Sequence, residues 1–326
     1  MDFNSLYALY ESDLKEVERS LLDLFKSNAS LIPTIGQYIV KGGGKRIRPL
    51  FLLASTDIFR YKKKDRIELA SIIEAIHTAS LIHDDIVDSA QIRRGQPTAN
   101  AVWSNQIVVL VGDFLYSNAL KAAVFQKNQL IMEHLSRATT RMTEGELLQL
   151  SRISDPEISE DDYLNIIAGK TGALISAACS LGAIASGAET DQVVALASFG
   201  MKTGMAFQMA DDILDYAADE TDFGKNLGKD LEEGKITLPI IELLAAADEA
   251  EALEIRDIIG SDTNAEPGKQ LNRMFELFKK YDTINISMQK ASRLIDEAKN
   301  ELKIFDRSPS IDTLNVLAEY ALVREK

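Results

Sequence analysis

Two stretches of the chain repeat one acidic pattern, Asp-Asp-x-x-Asp: Asp84, Asp85 and Asp88 in DDIVD, and Asp211, Asp212 and Asp215 in DDILD. On a helix, positions i and i+4 share a face, and like charges there are destabilising. Both sets also fall where a helix C-terminus is expected, and the helix dipole disfavours anions there. A cost accepted twice points to a compensating cation. Carboxylate oxygens suit hard divalent ions, and Mg²⁺ takes one or two carboxylates while leaving positions for water and substrate phosphates. The bland alternative is a pair of solvated helix ends, which two copies on apolar helices argue against.

Cations stand near both sets. The stretch from Lys41 to Pro49 joins a triple-glycine loop to Lys45 and Arg48. Glycine allows the backbone to approach an anion, and arginine grips phosphate oxygens bidentately. The spacing is not that of a GxxxxGK[ST] phosphate loop. Arg93 and Arg94 follow the first set, Lys170 and Thr171 interrupt a small-residue helix, and Gln208 precedes Asp211 by three positions. Lys225, Lys229 and Lys235 follow the second set. Carboxylates with cations close by in sequence are what a metal-bridged, diphosphate-sized ligand requires. At 100° per residue, His77, Asp84 and Asp88 fall within a stripe of roughly 40°, with Ile73 continuing it and Ser80 about one turn below Asp84. An apolar tunnel beneath a metal site fits that stripe. His77 by itself reads equally well as a satisfied core histidine, and His83 points elsewhere.

The elements that must hold these residues are helices. The 326 residues carry 36 Lys plus Arg against 50 Asp plus Glu, a net charge of −14, and 46% are hydrophobic. This is a globular composition that needs no staples, and its acidity disfavours nucleic acid as a partner. Sparse Pro and Gly leave long tracts with apolar residues at spacings of three and four, so the fold is expected to be all-α. Helices are predicted over 3–26, 30–40, 48–60, 66–88, 98–105, 107–125, 128–151, 160–187, 190–218, 237–249, 251–260, 269–302 and 311–323, with no competing strand or hairpin. No connection is long enough for an interdomain linker, so one domain over 1–326 is expected, without repeats. Cys179, the single cysteine, reads as a core residue and suits a reducing cytoplasm. The N-terminus reads as an amphipathic helix rather than a signal peptide, and Thr171–Ala188 lacks the bulk of a membrane span.

In order and spacing, GGGKRIRP, HTASLIHDDIVD, RRGQPTAN, VGDFLY, GKTGALI, FQMADDILDY, GKNLGKDLEEGKITLP and LVREK resemble the all-trans polyprenyl diphosphate synthases over nearly the whole chain. The likeness is greatest to the octaprenyl-forming branch, which serves quinone side chains. It implies an isoprenoid-synthase helical bundle, usually a homodimer, with the Asp sets facing each other across a central cavity. It also implies that Lys45, Arg48, His77 and Arg94 hold the diphosphate of isopentenyl diphosphate. All six aspartates would bind Mg²⁺, three ions per site, bridging to an allylic diphosphate that Arg93, Lys170, Thr171, Gln208 and Lys225 contact and Lys235 assists. Arg324 is the loosest match, to a C-terminal arginine. Positions four and five before the first aspartate form a floor in this family, and Ser80 and Ala79 are small, which implies a product longer than C20. A membrane anchor is not visible, and peripheral contact for release of a water-insoluble product is compatible with that. The weighed alternatives are a C20 synthase, a catalytically silent partner subunit, a terpene cyclase and an HD-type phosphohydrolase using His83 and Asp84. The cyclase would replace the second Asp set, and the hydrolase would need more histidines.

Overall fold

The structure, a computed structural model, describes residues 2–217, 228–260 and 267–323. Its helices are α1 (Phe3–Leu24), α2 (Leu31–Lys41), α3 (Ile47–Ile58), α4 (Asp65–Val87), α5 (Ala99–Val102), α6 (Asn105–Phe125), α7 (Gln129–Ser151), α8 (Glu160–Ile167), α9 (Ala173–Ala185), α10 (Thr190–Leu214), α11 (Lys229–Glu232), α12 (Leu238–Ala246), α13 (Glu249–Gly260), α14 (Pro267–Tyr281), α15 (Thr283–Glu301) and α16 (Pro309–Tyr320). The all-α expectation holds, with four corrections, one of them the short α11, which lies where no helix was expected. A two-residue antiparallel hairpin, β1 (Ile92–Arg93) with β2 (Gln96–Pro97), follows the first Asp set where none was expected. The helix expected over 160–187 contains a π-helical turn, Ala168–Gly172, between α8 and α9. The helix expected over 269–302 breaks at Asp282, whose φ of 56° is left-handed and whose carboxylate accepts from Asn285 Nδ2. Asp tolerates that conformation better than most residues, so the break needs no Gly or Pro.

The chain forms two compact units. The first takes Met1–Thr139, Leu174–Gly200 and Leu302–Leu317. Here α4 is buried around most of its circumference, packed on α1, α3 and α6. Leu6, Leu14, Val17 and Leu21 of α1 supply the matching apolar stripe. Arg46 precedes α3 with a left-handed φ of 47°, which carries its guanidinium inward between Glu18 and the buried Glu74. Cys179 is fully buried, and burial pushes its thiol up to about 12, as expected of a core residue rather than a nucleophile.

The second unit takes Thr140–Ala173, Met201–Glu301 and Ala318–Lys326. Its core gathers Tyr163, Met209, Tyr216, Leu238, Leu243, Ile255, Leu277 and Phe278. Glycine pairs let three backbones nearly touch. A Cβ at Gly169 would lie 2.6 Å from the Arg141 carbonyl and 3.0 Å from Gly145 Cα, and one at Gly204 would lie 2.7 Å from Gly172 Cα. The π-turn is thereby held between α7 and α10, which sets Lys170 and Thr171 beside polar residues of both.

Among the described residues, two helical stretches are long and apolar enough to cross a membrane by length and composition, Asn105–Phe125 and Glu160–Ala185. The second is 89% buried as a core helix, whereas the first is only 33% buried.

Candidate active site

The first Asp set sits at the end of α4, as its spacing predicts. Asp88 is the C-cap, donating its backbone N–H to Asp84 O at 2.8 Å. Asp84 and Asp88 are partly or fully accessible, while Asp85, turned 100° from Asp84, is buried. Its Oδ1 accepts from Arg93 Nε at 2.7 Å. Asn100 Nδ2 donates to the carbonyls of Asp85 and Ala90, and Thr98 Oγ1 donates to Ala90 O, closing the helix end and the hairpin loop together.

Beside this helix end lies a cavity of about 570 Å³, lined by Tyr38, Lys41, Arg46, Glu74, His77, Asp85, Arg93 and Arg94 among others. His77 accepts at Nε2 from Arg48 Nη1, 2.9 Å away. Burial first, then the Arg48, Arg94 and Arg93 cations, hold its pKa well below 6.5, so the ring is neutral with its proton on Nδ1. Arg94 donates to Gly43 O, tying the hairpin to the triple-glycine loop. Of the four residues expected around one diphosphate, His77 and Arg94 line the cavity and Arg48 touches His77, while Lys45 is exposed and outside the lining. Ala79 and Ser80 do not line it either. Ala79 is buried, and the Ser80 hydroxyl donates to His77 O.

The second Asp set lies at the end of α10 in the other unit. Asp212 is its buried member, accepting from Tyr163 Oη at 2.7 Å and from Gln208 Nε2 at 2.8 Å. Burial and the nearby Asp230 push its pKa up to about 8, against the pull of those two donors. Asp211 and Asp215 are more accessible, and Asp215 Oδ2 accepts from the Asp230 backbone N–H at 2.9 Å. Asp230 is itself pushed up to about 6, by burial and then by Asp215. Lys170 Nζ reaches Gln149 Oε1 at 2.7 Å and Glu146 Oε2 at 2.9 Å, and Thr171 Oγ1 donates to Gln208 Oε1 at 2.7 Å. Lys235 pairs with Glu233. Lys225 and Arg324 lie outside the described residues.

Sequence reasoning missed Arg46, Glu74, Asn100, Glu146, Gln149, Tyr163 and Asp230. For Tyr163 a signal existed: it shares a helical face with Ile166 and Ile167, and a buried phenol needs a partner. Among the described residues no three His, Cys, Asp or Glu side chains converge into a metal cage. Each set offers instead an accessible pair of hard oxygen donors four residues apart, which fits an ion that keeps positions for water and phosphate.

A profile of the polyprenyl synthetase family matches residues 29–277. The chain is 35% identical to an octaprenyl diphosphate synthase of Escherichia coli (strain K12) over 326 residues, covering all of both chains. A decaprenyl diphosphate synthase structure from Rhodobacter capsulatus superposes with a TM-score of 0.93 at 37% identity, covering 99% of each chain. A polyprenyl synthase from Caulobacter crescentus CB15, complexed with calcium and isoprenyl diphosphate, gives 0.90 at 36% identity, covering 98% of this chain and 97% of that one. The chain therefore belongs to the polyprenyl synthetase family, and it is a prenyltransferase with the isoprenoid-synthase fold.

Proposed function

We propose that the protein is a long-chain, all-trans synthase that condenses isopentenyl diphosphate head-to-tail onto an allylic primer such as farnesyl diphosphate, ending at octaprenyl (C40) diphosphate for quinone side chains. The observation that carries this reading is the basic cavity beside the first Asp-rich helix end, of a size for a small diphosphate and lined by Arg46, His77, Arg93 and Arg94. Arg94, Arg48 and Lys45 would bind the diphosphate of isopentenyl diphosphate, with neutral His77 keeping Arg48 in place. Arg93, Lys170, Thr171, Gln208, Lys225 and Lys235 would serve the primer's diphosphate. Asp84, Asp88, Asp211 and Asp215 would hold Mg²⁺ directly, with Asp85 and Asp212 anchored behind them, and the family resemblance implies three ions. Bound Mg²⁺ would stabilise the charge of the departing diphosphate.

The chain's own cations do the same as the primer's C–O bond breaks. The double bond of isopentenyl diphosphate then attacks the allylic cation, and a proton is lost to the departed diphosphate, so no protein nucleophile is needed. Apolar helices exclude water that would trap the cation. His83 belongs elsewhere: its Nε2 lies 3.3 Å from Asp113 and from Val109 O of α6, which disfavours the HD-type hydrolase.

For C40 over C20, the support is the full-length likeness to an octaprenyl synthase and the small side chains of Ala79 and Ser80. A homodimer would pair through the outer face of α6, a reading supported by the exposed Leu110, Val124 and Phe125 there, and a peripheral membrane contact would take up the product. Buried, unpaired Cys179 suits a cytoplasmic location. The test is incubation with farnesyl diphosphate, labelled isopentenyl diphosphate and Mg²⁺, with an EDTA control. A ladder ending near C40, absent with EDTA and shortened by Ser80→Phe or Ala79→Phe, is expected. No elongation, or a wild-type stop at C20, would contradict the reading.

A further inference from the structure

Tyr163 has no part in the roles assigned so far. It sits on the first turn of α8, which a capping box starts: Asp162 N–H donates to Ser159 Oγ, and Ser159 N–H to Asp162 Oδ2. That start point carries Tyr163 inward with Ile166 and Ile167, leaving it 2% exposed. A phenol placed in an apolar cluster must find an acceptor. It finds Asp212 Oδ2 at 2.7 Å, while Asp212 Oδ1 accepts from Gln208 Nε2 at 2.8 Å and Gln208 Oε1 accepts from Thr171 Oγ1 at 2.7 Å. With the Thr171 hydroxyl donating to the amide oxygen, the amide nitrogen must face the carboxylate. One hydrogen-bonded chain thus runs from α8 through α10 to the π-turn.

We propose that Tyr163 is a positioning residue for the allylic primer: its hydroxyl orients the Asp212 carboxylate and, through Gln208, fixes the Thr171 hydroxyl beside Lys170. The inference rests on the assignment of Lys170, Thr171 and Gln208 to the primer. Without the hydroxyl, Asp212 keeps Gln208 as its one side-chain donor among the described residues, and its carboxylate can rotate, so the direction of every later bond in the chain is loosened.

Tyr163→Phe removes that hydroxyl and keeps the ring. In the full-length protein it is expected to raise KM for farnesyl diphosphate about tenfold, as loss of one buried hydrogen bond does, while KM for isopentenyl diphosphate stays within about twofold. Calorimetric affinity for an unreactive thio analogue of farnesyl diphosphate should fall by the same factor. Thr171→Val, at the other end of the chain, should also weaken primer affinity, and the double variant should lose less than the product of the two single losses. Equal losses for both substrates, an unchanged primer affinity, multiplicative losses in the double variant, or a Tyr163→Phe protein that fails to fold would each overturn the proposal. If the unmodified protein transferred no prenyl group, the proposed function would fail, and the calorimetric comparison would still read the role of Tyr163.

Discussion

The two Asp-rich helix ends share a design and differ in how they anchor it. In each, the first and last aspartates are accessible and the second is buried. In the first unit the buried Asp85 meets a cation, Arg93, which also lines the basic cavity. In the second unit the donors that the buried Asp212 meets among the described residues are neutral, Tyr163 and Gln208. A guanidinium can compensate a buried carboxylate by charge, whereas neutral donors satisfy its lone pairs and leave its desolvation largely unmatched. The comparison teaches that one sequence pattern, DDxxD, specifies the outward face in both places, while the surroundings decide how the inner residue is held.

The largest break comes from the outward faces. Asp84→Ala or Asp211→Ala should lower prenyl transfer by about 10³-fold, the scale of removing one preorganised stabiliser of developing charge, read in the labelled-substrate assay. A smaller effect falls on stability in the charge-paired unit. Arg46 and Glu74 are both buried, with Nη1 to Oε1 at 3.0 Å. Glu74→Ala leaves the buried guanidinium with the half-exposed Glu18 as its remaining ion-pair partner, and urea unfolding should show a loss of about 2 kcal/mol.

The smallest of these effects is a pH dependence from the neutral-donor side. Asp212 is raised from 3.8 to about 8 and Asp230 from 3.8 to about 6. Below about pH 6.5 the neutral His77 works in the opposite direction, but between pH 6.5 and pH 8 Asp212 keeps a proton that the unfolded chain has lost, so its contribution to stability falls as pH rises through that window and levels off above it. Melting temperatures of the protein in EDTA should follow that course, and Asp212→Asn should flatten the part nearer pH 8. A melting temperature that rises from pH 6.5 to pH 8 in both proteins would break the contrast drawn between the two anchors.

The helical fold was legible because apolar spacing dominates the chain, and the ends of α4 and α10 fell where the Asp sets implied. Features governed by tertiary contact were not legible. The π-turn inside the helix expected over 160–187 had no local mark, because the close approaches of Gly145 to Gly169 and of Gly204 to Gly172 that hold it join positions distant in sequence. Asp282 breaks α14 from α15 without Gly or Pro, although Lys279 and Lys280 ahead of it were a C-terminal cue. At the site, residue types at fixed spacing singled out both Asp sets together with Arg93 and Arg94, since that pattern is local. Arg46, Glu74 and Tyr163 escaped because their roles exist only once partners from other helices arrive.

The division of each Asp set into an outer pair and an inner anchor is the central claim, and the Mg²⁺ concentration for half-maximal turnover reads it directly. Asp84→Asn and Asp211→Asn should raise that concentration more than tenfold, whereas Asp85→Asn and Asp212→Asn should leave it within about threefold of the unmodified protein even as turnover drops. An equal rise in all four variants would show the inner aspartates to be metal ligands like the outer ones and would contradict the account.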